Sequence, residues 1–219
     1  MLAALLGKKI GMTRLYTEDG AVVPVTVIQA GPCSVLQVKK EGGTQDGYNA
    51  IQLGYEDVKP HRSTLPMIGH TAKAGTGPKK FIREIRLAEG PEDVSLGDVL
   101  TVEIFETAGI GYVDVISTTK GLGFTGVMRR YGFGGMPNSH GTERKHRSPG
   151  SIGGNANRGL GRNIKKGKRM PGHKGHDRRT SRNLKLISVD KVNNLILVKG
   201  SIPGPNGVYV MVRQSKTKS

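Results

Sequence analysis

KGLGFTGVMRRYGFGGMPNSHGTERKHRSPGSIGGNANRGLGRNIKKGKRMPGHKGHDRRTSR, residues Lys120 to Arg182, decides how the rest of the chain is read. Its 63 residues hold 16 Lys or Arg, two acids (Glu143 and Asp177), 15 glycines and 12 apolar residues. It supplies +14 of the formal net charge of +17 and leaves +3 to the other 156 residues. So few apolar side chains cannot offset the entropy of ordering so glycine-rich a backbone. So many like charges repel one another unless a polyanion screens them. With the residue before it, the stretch reads as a long, mostly irregular basic finger over 119–182 whose shape a nucleic acid holds. A solvated, disordered basic loop is the plain alternative, but such loops mix both signs and rarely exceed about 15 residues.

Working outward, the finger separates two pieces, 1–118 and 183–213, which together have the size of one discontinuous domain. A tail over 214–219 is expected to fray. Met12–Tyr16, an Asp19-Gly20 turn and Val22–Gln29 read as a hairpin, with Pro24 at an edge or bulge. Further strands are expected at Val35–Lys39, Tyr48–Gly54, Phe81–Leu87, Val99–Phe105, Tyr112–Ser117, Leu184–Val189, Leu195–Lys199 and Val208–Arg213. A small insert over 59–77 carries a helical reading across Met67–Ala74 that Gly75 can end. About ten short strands with hardly any helix predict a mainly β fold with a closed or nearly closed β-barrel body.

The single cysteine, Cys33, excludes an internal disulfide and a thiolate zinc site, and suits a reducing compartment. Met1–Leu6 is apolar but shorter than a signal-peptide core, so a cytoplasmic address is expected. No run approaches the roughly 18 apolar residues of a membrane span.

Gly121-x-Gly123-x-x-Gly126 formally matches a dinucleotide fingerprint. That fingerprint needs its glycines to open a helix, whereas Gly132, Gly134, Gly135 and Pro137 follow within a dozen residues. The glycines are better explained by close approach of the backbone to a partner, with Lys120, Arg129 and Arg130 meeting phosphates. His173-x-x-His176 has a tolerable metal spacing, but the surrounding cations oppose a divalent ion, so no metal is expected. No G-x-S-x-G nucleophile elbow is present, and no cofactor, small-molecule substrate or enzymatic role is expected. Phe124, Tyr131 and Phe133 are too sparse for a single-strand stacking platform. With no helix-turn-helix, zinc-finger or RNA-recognition signature, recognition by backbone and shape of a folded RNA is favoured. A nucleotide-dependent enzyme and a DNA-compacting protein are the rival readings.

Motifs along nearly the whole chain resemble the third protein of the bacterial large ribosomal subunit. They include Gly7-Lys8-Lys9-Ile10-Gly11-Met12-Thr13, Thr17-Glu18-Asp19-Gly20, His70-x-Ala72-Lys73-Ala74-Gly75 and Lys120-Gly121-x-Gly123-Phe124-x-Gly126. Within the finger come His146-Arg147-x-Pro149-Gly150-Ser151-Ile152-Gly153 and Gly167-Lys168-Arg169-Met170-x-Gly172, and the pattern closes at Asn194-Leu195-x-Leu197-Val198-Lys199-Gly200. The resemblance implies a barrel like that of elongation factors, early entry into subunit assembly, and a finger that approaches the peptidyl transferase centre without doing the chemistry. The implied partners are large-subunit ribosomal RNA and neighbouring large-subunit proteins. Expected RNA contacts are Lys8, Lys9, Lys120, Gly121, Gly123, Phe124, Gly126, Arg129, Arg130, Arg144, Lys145, His146, Arg147, Arg158, Arg162, Lys165, Lys166, Lys168, Arg169, Lys174, Arg178 and Arg179. The expected tip is Pro149, Gly150, Ser151, Ile152, Gly153, Gly154 and Asn155. Two positions depart from the family pattern. Leu122 replaces a usual basic residue, and Gly154 stands where some members carry a methylated glutamine, so no such modification is expected.

Overall fold

The computed structural model describes residues 3–42, 47–87, 90, 94–153 and 164–218. Gly154, Asn155, Arg158 and Arg162 of the expected site lie outside the described residues. The chain divides into two units, one of residues 1–118 and 178–219 and the other of residues 119–177.

The first unit contains a closed six-stranded barrel. Its strands are β1 (Ala4–Tyr16), β2 (Val22–Ala30), β7 (Tyr112–Thr118), β10 (Arg178–Asp190), β11 (Leu195–Lys199) and β12 (Tyr209–Gln214). They run in the order β1-β12-β7-β10-β11-β2, and every neighbouring pair is antiparallel. Strand period two explains the interior. Ile196 and Val198 of β11 are buried, while Leu195 and Leu197 between them are only half-buried. Val113, Val115, Val210 and Val212, fully buried, join them with Leu5, Leu6 and Ile28 in one core. β1 is buried on consecutive residues from Ala4 to Gly7, as a strand covered on both faces must be.

A second sheet of the same unit has the order β5-β4-β3-β6, formed by β3 (Cys33–Lys39), β4 (Ala50–Asp57), β5 (Lys79–Arg86) and β6 (Val99–Leu100). Val35, Leu53 and Ile85 carry it into the common core. Glu56 on β4 accepts a hydrogen bond of 2.5 Å from the Tyr209 hydroxyl on β12 and so ties this sheet to the barrel.

Several boundaries differ from the sequence expectation. The run Val99–Phe105 is not one strand: pairing ends at Leu100, and α2 (Glu103–Thr107) follows. Val102 and Phe105 are both fully buried, a spacing of three that one helix face can serve, and Glu103 and Glu106 suit the positive end of the helix dipole. The insert helix α1 runs Leu65–Ala72, starting earlier than Met67 because Pro66 is well placed in a first turn. Of the residues expected to fray, Gln214, Ser215 and Thr217 are held by hydrogen bonds. The Gln214 amide donates to the Ala3 carbonyl at 2.8 Å, the Ser215 amide to Tyr112 at 3.0 Å, and the Thr217 hydroxyl to Asn183 at 2.9 Å. Finally, Arg178, Arg179 and Arg182 lie on β10, where Arg178 and Thr118 are partners across β7, so the ladder claims residues that composition alone assigned to the finger.

Candidate nucleic-acid interface

The unit 119–177 is built from two legs of chain held side by side. The Thr119 amide donates to the Asp177 carbonyl at 2.9 Å, the Leu122 amide to Lys174 at 2.9 Å, and the Lys174 amide to Gly123 at 3.0 Å. The ladder continues as two short antiparallel strands, β8 (Phe124–Thr125) and β9 (Gly172–His173). The legs meet closely at Gly175, where φ is +77° and a Cβ would overlap the Lys120 carbonyl oxygen. Glycine alone serves there.

A short helix, α3 (Val127–Tyr131), opens at Gly126 and ends at Gly132 in the left-handed region, φ 75°. This corrects the expectation that the Gly121-x-Gly123-x-x-Gly126 pattern opens no helix. The context is still not a dinucleotide site, because the preceding strand pairs antiparallel with β9 and the helix has five residues. Arg130 on α3 donates from Nη1 to the Met170 carbonyl at 2.7 Å, and Lys174 Nζ donates to the Arg129 carbonyl. Tyr131 lies under two guanidiniums, Arg130 at 5.0 Å and Arg169 at 5.6 Å from its ring centre. Sequence reading weighed Tyr131 only as a stacking aromatic and missed this pairing, because Arg169 is remote along the chain.

Farther along, the Met136 amide donates to the His146 carbonyl at 2.9 Å, and His146 Nδ1 lies 3.0 Å from the Pro137 carbonyl oxygen. At Gly135, φ +77°, a Cβ would collide with that same His146 carbonyl. Pro149 and Gly150 are half-buried, while Ser151, Ile152 and Gly153 are exposed. The Ser151 carbonyl accepts from Lys168 Nζ at 3.3 Å, so the two legs are also joined here.

The electrostatics of this unit follow from what its cations do not touch. Eleven described Lys and Arg stand in it against Glu143 and Asp177. Lys120, Arg129, Arg144, Lys145, Arg147, Lys165, Lys166, Lys168 and Arg169 are exposed, and Arg130 and Lys174 are half-buried. Among the described residues, the ion pairs all belong to the first unit. Among the described residues, Val127 and Thr125 are the buried side chains of the segment. Phe124, 78% exposed, and Leu122 present apolar surface beside the charge, and the Leu122 backbone keeps its place in the ladder without a basic side chain.

The expected contacts outside the segment separate into two kinds. Arg178 and Arg179 are exposed on β10. Lys8 is half-buried, its ammonium 5.9 Å from the Tyr209 ring centre. Lys9 is a correction: it is 6% exposed, and its Nζ donates to the Ile202 and Gly204 carbonyls at 3.2 and 3.1 Å. A buried ammonium already engaged by backbone oxygens is a structural element of the barrel and leaves the phosphate-contacting set. Among the described residues no group of three or more His, Cys, Asp or Glu could hold a metal ion, and no helix is long and apolar enough to cross a membrane.

Comparison with known proteins gives a consistent result. The model of the family described as Ribosomal protein L3 matches residues 40–194. The chain is 49% identical over 209 residues to the large ribosomal subunit protein uL3 of Acidothermus cellulolyticus, covering 95% of this chain and 90% of that one. It is 46% identical over 218 residues to the protein of the same name from Magnetococcus marinus, covering 100% and 98%. The corresponding protein of Corynebacterium diphtheriae is 46% identical over 215 residues, with 97% and 94% covered.

Proposed function

Because the chain belongs to the ribosomal protein L3 family, we propose that its unit 119–177 binds large-subunit ribosomal RNA and holds the protein in the subunit during translation. The family is a structural one and its members are not enzymes. The observation that carries the RNA reading is the set of eleven described Lys and Arg in 119–177 without an ion pair among the described residues. Cations left unpaired by their own protein gain most from an external polyanion, because each phosphate contact releases a counterion. The ladder of residues 119–125 with 172–177 presents Lys120 and Lys174 on fixed backbone, and α3 presents Arg129, a better base for phosphate contacts than a free coil.

In this reading Lys165, Lys166, Lys168 and Arg169 neutralise phosphates along the stem. Pro149, Gly150, Ser151, Ile152 and Gly153 bear no charge and enter the narrowest space, toward the peptidyl transferase centre. Early entry into assembly follows if the RNA folds around these contacts. Neighbouring large-subunit proteins complete the surroundings in the cytoplasmic ribosome. The test is cosedimentation of the full chain with large subunits through a high-salt wash. Retention is expected, and release together with binding of a labelled dinucleotide would favour the enzymatic rival.

A further inference from the structure

The β1–β2 hairpin runs past the barrel. β12 pairs with β1 only from Ala4 to Lys8, and β11 pairs with β2 only as far as Val25. From Gly11 to Tyr16, β1 has β2 on one side and, among the described residues, no strand on the other. The hairpin puts Tyr16 opposite Val22 and Arg14 opposite Pro24, with Met12 two residues from Arg14, so all five share one face. Ile10, at the register shift between Lys9 and Gly11, extends the exposed surface. Ile10, Met12, Tyr16 and Val22 are 49%, 50%, 65% and 55% exposed. Single exposed apolar residues are ordinary, but a contiguous set beside an open strand edge is a binding surface or an aggregation hazard.

We propose that this face is a docking surface for another protein, which lays an extended segment bearing apolar side chains and a carboxylate along the open edge of β1. The proposal rests on the family reading, since the partner is a protein met in the assembled subunit. The chemistry of the face selects a protein over RNA. Its one cation, Arg14, stacks 6.0 Å from the Tyr16 ring centre and has no ion pair among the described residues. One cation among six residues cannot support a phosphate-driven contact of the kind available at 119–177. Apolar side chains around a single guanidinium instead fit an apolar segment with one carboxylate, and the free edge supplies backbone hydrogen bonds for strand addition.

A Met12→Cys variant of the full chain tests this cleanly. Burial pushes the native Cys33 thiol up to about 12, so the introduced thiol is the reactive one. Maleimide labelling should slow at least ~10-fold between the free variant and purified large subunits assembled with it, as a covered site requires. In the same subunits, a photoreactive p-benzoylphenylalanine at position 12 should crosslink to an extended protein segment containing Asp or Glu, and Arg14→Glu should restore labelling. Unchanged labelling, or crosslinks confined to RNA or to a second copy of this chain, would overturn the proposal. If the position-12 variants do not enter subunits, amide hydrogen exchange on the unaltered chain decides. Alternate amides from Ile10 to Tyr16 should be slowed in the subunit, and exchange equal to that of the free chain would overturn the proposal. Failure of the unaltered chain to enter large subunits would overturn the family-based reading and this one with it. Entry with an accessible Met12 would overturn this one alone.

Discussion

The two units treat charge in opposite ways. In the body, Lys39 meets Glu84 at 3.0 Å, Lys79 meets Asp57 at 2.6 Å, Lys191 meets Glu106 at 2.9 Å, and Arg213 meets the buried Asp114 at 3.3 Å. In 119–177, the cations outnumber the acids and none is ion-paired among the described residues. The body pairs several of its cations with its own acids and takes its stability from an apolar core. Among its described residues the segment leaves its electrostatics open and has almost no core, as the proposed RNA-binding surface requires. Substitutions in one unit should therefore move stability, and substitutions in the other should move salt-dependent affinity.

The largest effect is expected at Phe105, fully buried on α2 within the common core. Phe105→Ala should cost about 3–5 kcal/mol of body stability, measured by denaturant unfolding, while the salt dependence of RNA binding stays unchanged. A parallel change in salt dependence would break the separation of the units. Next, replacing Lys165, Lys166, Lys168 and Arg169 with Ala should weaken RNA affinity about 100-fold or more and flatten the log-log salt slope by about 3. The unfolding midpoint of the body should not move. Filter binding across a salt series and thermal unfolding read the two halves of this prediction.

Lys9 sharpens the comparison, because its charge lies in the body. Lys9→Met removes the donor to the Ile202 and Gly204 carbonyls, and should cost about 1–3 kcal/mol of stability with the salt slope intact. A flatter slope with full stability would return Lys9 to the RNA-contacting set.

Lys9 also shows where sequence reading stops. The Gly7-Lys8-Lys9 motif reads as two equivalent cations, and strand alternation with closure of the barrel decides that Lys8 stays half-buried over Tyr209 while Lys9 turns inward. The mainly β body was legible because Ile196, Val198, Val210 and Val212 lie in short apolar runs bounded by turn residues. The charge boundary at Arg182 was legible but misplaced, because composition cannot register the Arg178–Thr118 pairing that starts β10. The tie of Thr217 to Asn183 was not legible at all, since it joins polar residues distant in sequence. The basic segment was found by its charge, whereas its ladder depends on alignments such as Leu122 with Lys174 that no local pattern announces.

The smallest expected effect is a pH dependence of the body. The hydrogen bond from the Tyr209 hydroxyl holds the Glu56 carboxyl below the usual glutamate range, with burial opposing and Lys8 and Lys80 assisting. A carboxyl whose folded pKa is lowered contributes stability in full above its unfolded pKa and loses it as pH falls through the folded value. Glu56→Gln should therefore remove a small part of the acid sensitivity of unfolding. It should leave RNA binding at neutral pH unaltered, as unfolding and binding curves over pH 3–7 would check.

The salt dependence of the unaltered chain's affinity for large-subunit ribosomal RNA tests the central claim most directly. If about half of the 16 Lys and Arg between Lys120 and Arg182 meet phosphates, the slope of log affinity against log salt should be roughly −6 to −7. A slope near −1 would contradict the account, because it would mean that the cations left unpaired by the protein are not paired by the RNA.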